Sequence, residues 1–246
     1  EVRESILQGT FDWRPFTDDE VLIALMDGMQ HSDETRSKGT ISLDVTAAQH
    51  VSKYRKMNEN TSSSPSGLHR GHDLAHIQDE RITSFRSEAT AFPFQKGFAP
   101  RSWRRMIECM IEKVPGKPHL GRLRQIALVE TRYNTPLKIF FNDRLMAQAE
   151  ELNLFDGQIG GRKGYRAIEG VLMQGLTMET YRHTLQNSIR FLYDAAACYD
   201  RMIPALTAIP IMKAGMPASA VECNNKVLAG AERQVRTAQG LSSPYK

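Results

Sequence analysis

Apolar side chains recur along the chain with a helical period in some stretches and as short dense runs in others. Thr17-Asp18-Asp19-Glu20 precedes Val21, Leu22, Ile23, Leu25, Met26 and Met29. The Thr-x-x-Glu spacing predicts a capping box leading an amphipathic helix. His31 to Thr40 is polar and reads as a loop. Thr46-Ala-Ala-Gln49 predicts a second capping box, opening a short helix with Val51, Tyr54 and Met57 on one side. Residues 82–99 carry Phe85, Phe92, Phe94 and Phe98 with Pro93 as a breaker, and predict a short helix and a loop. After Pro100, the spacing of Trp103, Met106, Ile107, Met110 and Ile111 predicts a further helix, stopped by the turn Val114-Pro115-Gly116-Lys117-Pro118.

Leu123 to Val129 has strand character, whereas Pro136 to Leu152 and Ala167 to Gln186 carry helical stripes. Ile189, Phe191, Leu192 and Tyr193 form a short apolar run that predicts a buried strand ending on Asp194. The run from Met202 to Met212 is broken at Gly215-Met216-Pro217. A helix from Pro217 to about Ala231 and a strand over Glu232 to Thr237 follow, turned by Gly240 and Ser242. The fold class these elements predict is α+β.

At 246 residues, 41% hydrophobic and 24% charged, the chain is long enough for a substantial core and has the composition of a globular protein. Cys109, Cys198 and Cys223 are odd in number and widely spaced, which argues against a disulfide framework and for an intracellular setting, cytoplasm or nucleus, rather than secretion. No apolar run approaches the roughly 20 residues that span a bilayer, so no membrane partner is expected. The start at Glu1 and the end at Tyr245-Lys246 suggest a piece of something longer. The net charge of +4 is unevenly spread: residues 1–60 carry 7 Lys and Arg against 11 Asp and Glu, residues 101–144 carry 10 against 4. A basic middle segment suits a polyanion, although solvated helix faces produce such runs too.

Asp194 is the first candidate for chemistry. A carboxylate at the end of a buried strand, followed by Ala195, Ala196, Ala197 and Cys198, leaves room for a charged ligand beside a rigid oxygen donor of the kind a hard divalent cation takes. Strand-ending aspartates also cap helices or pair with neighbouring cations. Asp18-Asp19 is a poorer candidate, because first-turn carboxylates are what a helix dipole favours. His69, His72 and His76 share a helical face if helical, a spacing compatible with zinc and equally with packing or phosphate contact. Lys113 and Arg124, on the two arms of a hairpin, would stand at a phosphate-sized distance, or else are two surface cations. The loop Phe155 to Gly164 is glycine-rich and basic but lacks the Lys-Ser/Thr ending of a P-loop.

Taken in order, these motifs resemble the fingers and first part of the palm of reverse transcriptases, especially those of eukaryotic retroelements. The pieces are Thr61-Ser-Ser-Ser-Pro-Ser-Gly67 with Gly71-His72, Lys113 before Pro115-Gly116, Leu123-Arg124-x-Ile126 and Gln158-x-Gly160-x-Arg162. They continue with Asp194-x-x-x-x-Tyr199-Asp200-Arg201, Gly215-Met216-Pro217 and Arg236-Thr237-x-x-Gly240-x-Ser242. They span roughly the C-terminal four-fifths of the chain.

The resemblance implies a right-hand polymerase-like architecture: a helical extension over 1–57, fingers over 58–187, and a partial palm over 188–246 whose incomplete antiparallel sheet packs helices. It implies that Asp194, with the Ala195 carbonyl, holds Mg²⁺, two ions serving the complete enzyme. Tyr199 would crowd a ribose 2′-hydroxyl, Lys113 and Arg124 would hold the triphosphate of a deoxynucleotide, and Gln158, Gly160 and Arg162 would touch the template. Asp200 would be structural. The implied partners are an RNA or DNA template with its primer and deoxynucleoside triphosphates.

The sequence departs from the pattern in two places. Gln125 stands where many of these enzymes have proline. No aspartate follows Asp200, so the Asp-Asp pair such enzymes use is not among these residues. One carboxylate holds two Mg²⁺ ions poorly, and the chain by itself is expected not to polymerise. The alternatives are a non-catalytic retroelement product that binds nucleic acid through basic fingers, and a zinc-assisted helical module.

Overall fold

In the computed structural model the described residues are 2–57, 65–117, 119–155, 157–189 and 202–246. The chain opens with helices α1 (Val2–Leu7), α2 (Glu20–Gly28), α3 (Asp33–Lys38), α4 (Ala47–Arg55), α5 (Arg70–His76) and α6 (Glu80–Lys96). A 3-10 turn at Arg101–Arg104 leads into β1 (Arg105–Glu112), which is followed by β2 (Leu123–Leu128). A continuous rod then runs through α7 (Thr131–Leu137), a π-helical segment (Lys138–Leu145) and α8 (Met146–Glu151). α9 (Ala167–His183), α10 (Pro204–Lys213), α11 (Ala218–Ala229), β3 (Glu232–Thr237) and β4 (Gly240–Leu241) complete it. The protein is α+β, as expected.

At Thr46 the predicted capping box is complete: its hydroxyl accepts from Gln49 N, and the Gln49 side chain accepts from Thr46 N. At α2 the cap is Asp19, not Thr17, with its carboxylate accepting from Val21 N and Leu22 N; Thr17 instead accepts from Asp19 N. The expected loop at 31–40 contains α3, capped by Ser32, with acids in its first turn and bases in its last.

The short helix expected over 82–99 is a 17-residue α6 capped by Asp79 and running through Pro93. Proline fixes a helical φ but costs a hydrogen bond. That loss lies one turn from the end, where Gly97 turns left-handed and the Phe98 amide bonds the Pro93 carbonyl at 3.1 Å. Burial of Pro93 and Phe94 offsets it.

The helix expected after Pro100 is a correction. Residues 105–112 form β1, an inner strand with neighbours on both sides in the order β2-β1-β3-β4. β1 pairs antiparallel with β2 (Ile107 opposite Leu128, Ile111 opposite Arg124) and parallel with β3 (Arg105 beside Glu232, Cys109 beside Arg236). The sheet is therefore mixed rather than antiparallel. The helices between β2 and β3 return the chain to the same end of the sheet, as a parallel neighbour requires. Glu108, Met106 and Ile107 are buried in β1, and a helix here would forfeit both ladders.

The core gathers residues from all three predicted segments. Ile41, Leu43 and Val45 meet Phe94, Trp103, Tyr133, Ile139 and Phe140, and also Met216, Val221, Cys223 and Val227. Phe94 is fully enclosed, stacked on Tyr133 at 6.0 Å and edge-on to Phe140 at 5.3 Å. Gly215 is needed at its place. Its φ is +104°, Ile41 N bonds its carbonyl at 2.8 Å, and an added Cβ would lie 2.0 Å from the Gln148 side-chain nitrogen. In contrast, α9 buries no residue, and Ile168, Val171, Leu172 and Leu176 are exposed. Among the described residues no helix is long and apolar enough to cross a membrane.

Candidate nucleic-acid interface

β1 and β2 form the hairpin that the sequence expected around Lys113 and Arg124. The ladder continues one step past β1, where Lys113 N donates to the Arg122 carbonyl at 2.9 Å. Side chains alternate between faces, so residues directly opposite share one. Ile111 opposes Arg124, and Lys113 opposes Arg122. Lys113, Ile111, Arg122 and Arg124 therefore share a face, with the Lys113 and Arg124 Cβ atoms diagonal neighbours about 7–8 Å apart. Cys109, Ile126 and Arg236 continue that face toward the base of the hairpin.

The outer half of the hairpin is open. Met110, Ile111, Lys113, Arg122, Arg124 and Ile126 are all exposed. Lys113, Arg122 and Arg124 form no ion pair among the described residues. Three unpaired cations among apolar side chains are available for phosphate oxygens, and Arg supplies a planar fork that fits them two at a time. Arg122 was missed from sequence; it closes the 3-10 turn Leu120–Arg122 just before β2, and its signal was its spacing of two from Arg124.

The hairpin's base is held by polar contacts on β1 and just past the end of β2. Glu108 on β1 is completely buried, accepts from Arg233 Nη1 at 3.1 Å and is bonded by the Tyr245 hydroxyl. Tyr245 pairs with Arg233 through backbone bonds of 2.8 and 2.9 Å, closing the C-terminal segment over that carboxylate. At the end of β2, buried Glu130 accepts from Ser66 N at 2.7 Å and Ser66 Oγ at 3.1 Å. The Pro65-Ser66-Gly67 motif is thereby fastened beside the hairpin.

Gln158, Gly160 and Arg162 lie together in the loop between α8 and α9, but Arg162 is turned inward. Its Nε and Nη2 bind Glu150 Oε1 and Oε2 at 2.8 and 2.5 Å, and its Nη1 donates to the carbonyls of Phe155 and Gln158. Its guanidinium also lies 4.2 Å from the centre of the Tyr165 ring. Hydrogen bonding from Arg162 holds the Glu150 carboxyl below its usual range. Arg162 thus shapes the loop, Gln158 bonds the Gly160 carbonyl at 3.0 Å, and Lys163 and Arg166 are exposed cations of the segment. Asp194, Ala195 and Tyr199, together with Asp200, lie outside the described residues.

The three histidines do not converge. His72 Nδ1 accepts from His69 N at 3.1 Å, folding back on the start of α5. His76 Nε2 instead meets Nε2 of buried His50 at 3.0 Å, beside Tyr54. Among the described residues no group of three or more His, Cys, Asp or Glu is placed to hold a metal. The His50–His76 bond needs one ring nitrogen to donate and the other to accept, so the accepting ring is neutral. Burial, with His76 and Arg86 nearby, lowers His50 to about 4, and burial with Arg86 lowers His76.

A histidine held neutral in the fold takes its proton in the unfolded chain first. Stability is therefore unaffected above pH 6.5 and falls as pH drops from 6.5 towards about 4. The expected loss from His50 is about 3 kcal/mol. Urea unfolding at stepped pH should show it, and His50→Phe should flatten that part of the profile; an unchanged profile would rule the pair out as its source.

No protein-family model matches this chain, and a search of curated proteins finds no match.

Proposed function

We propose that this chain is the fingers and first part of the palm of a reverse transcriptase of the eukaryotic retroelement type. Its part in the reaction would be to hold the template with its primer and the incoming deoxynucleoside triphosphate. The observation that carries the reading is the shared exposed face of Lys113 and Arg124, two cations a resemblance in sequence pairs and a hairpin brings within reach of one polyphosphate. The ordered run of motifs around them adds to it.

On this reading Lys113 and Arg124 neutralise phosphate charge as it develops in transfer, an effect strengthened where water is excluded. Arg122 adds a third cation to the same face. Tyr199 would exclude a 2′-hydroxyl by its bulk. Asp194 and the Ala195 carbonyl are oxygen donors suited to Mg²⁺, although one carboxylate is fewer than a two-ion site takes. Bound Mg²⁺ would sharpen the primer hydroxyl and steady the leaving pyrophosphate. A second reading, non-catalytic binding of nucleic acid through the same hairpin, is favoured by that single carboxylate.

Anisotropy of a labelled RNA template with a DNA primer, and binding of a fluorescent deoxynucleoside triphosphate with and without Mg²⁺, test both. Lys113→Gln with Arg124→Gln should weaken triphosphate binding about tenfold per cation removed, near 1.4 kcal/mol each. Asp194→Ala should remove the Mg²⁺-dependent part of nucleotide binding and leave template affinity unchanged. Unaltered triphosphate binding in the double variant would overturn the polymerase reading. Template binding with no Mg²⁺-dependent nucleotide binding would leave the second reading standing.

A further inference from the structure

We infer that the cleft between the C-terminal end of α4 and the start of α7 is a second phosphate site, taking the sugar–phosphate backbone of single-stranded nucleic acid. The inference rests on the reading of the hairpin as a nucleic-acid surface and extends it to residues that no motif singles out. The cleft has a volume of about 400 Å³ and is lined by Lys53, Lys56 and Lys138, with Thr131, Asn134 and the end of β2 at Leu128. Lys53 is taken by Asp143 at 2.6 Å. Lys56 and Lys138 are exposed and form no ion pair among the described residues. Thr131 and Asn134 are half-buried, and their side chains make no hydrogen bond among the described residues.

Two ammonium groups, with no ion pair among the described residues, line one cleft with a hydroxyl and an amide, a donor set for phosphate oxygens rather than for a base edge. An ammonium acts here as a point charge, so it fixes a backbone without choosing a sequence.

Position gives the cleft its meaning. β2 is an edge strand, and it runs from Arg124 at the hairpin cations to Leu128 in the cleft. Four residues of strand cover about 13 Å. A single strand lying along the open edge of β2 would meet Lys113, Arg122 and Arg124 at one end, then Lys56 and Lys138 at the other. The basic excess of residues 101–144 thereby becomes a track with two anchor points, one of them completed by Lys56 from α4.

The test is the salt dependence of binding to a labelled 20-nucleotide single-stranded RNA, read by anisotropy. Each phosphate contact contributes roughly 0.7 to the slope of log affinity against log salt for a single strand. Lys56→Gln with Lys138→Gln should therefore lower the steepness by about 1.4 and weaken binding at low salt about tenfold. The far-UV spectrum should not change, and Lys56→Arg with Lys138→Arg should restore the slope. A wild-type slope in the Gln pair, alongside a reduced one in the Lys113→Gln, Arg124→Gln protein, would overturn the cleft and spare the hairpin. No RNA binding by the wild-type chain would remove the hairpin reading itself, and the cleft with it.

Discussion

Phe94→Ala is expected to lower the unfolding free energy by about 3–5 kcal/mol, enough to leave little of a typical domain's stability. Phe94 is fully buried and touches Trp103, Tyr133 and Phe140 at once, with ring centres 5.3, 6.0 and 5.3 Å away. These partners come from the 3-10 turn before β1, from α7 and from the π-helical segment. A cavity at Phe94 cannot be closed by one of them without moving an element. The lost transfer energy therefore adds to a void that persists. Phe94→Leu should cost much less, because most of the volume is kept. Chemical denaturation of the three proteins measures the ranking, and equal midpoints for Phe94→Ala and wild type would remove Phe94 from the centre of the core.

Arg233→Leu is the second large effect, expected at about 2–3 kcal/mol. Arg233 is itself partly exposed, but its partner Glu108 is completely enclosed on the central strand. Removing the guanidinium leaves a buried carboxylate with the Tyr245 hydroxyl as its remaining side-chain partner. The cost lies in the stranded charge rather than in the bond. Adding Glu108→Leu to Arg233→Leu should therefore recover most of the loss, since an apolar pair of similar size needs no desolvated charge. A double variant as unstable as the single one would show that Arg233 acts through packing alone. Because the Tyr245 hydroxyl bonds Glu108, proteolysis near Tyr245 should quicken in the double variant, which removes that carboxylate, more than in the single.

Several elements were legible from residues a few positions apart. The Thr46 box, the break at Gly215, the strand at 123–128 and the strand at 232–237 rest on signals that do not depend on the rest of the chain. The turn and second arm of the basic hairpin were legible for the same reason, whereas its first arm carries a helical period. Its two arms are close in sequence, and its turn carries its own glycine and prolines. Even at this range Ser32 was overlooked, because a six-residue helix of charged and polar residues has no apolar stripe to reveal it.

Tertiary placement decided the rest. Trp103, Met106, Ile107 and Met110 fit a helical period, yet β1 is a strand because β2 and β3 stand on either side and supply two ladders. The stripe on α9 fits a helix and is one, but periodicity alone does not bury it. Arg162 sits in the predicted template motif, and only the fold shows its guanidinium committed to Glu150 and Tyr165. Local sequence determined where the chain turns, caps and carries charge, because those depend on dihedral freedom and neighbouring donors. Which strand lies central, which carboxylate is enclosed and which lysines face one cleft depend on contacts between residues far apart in the chain, and no short-range pattern encodes them.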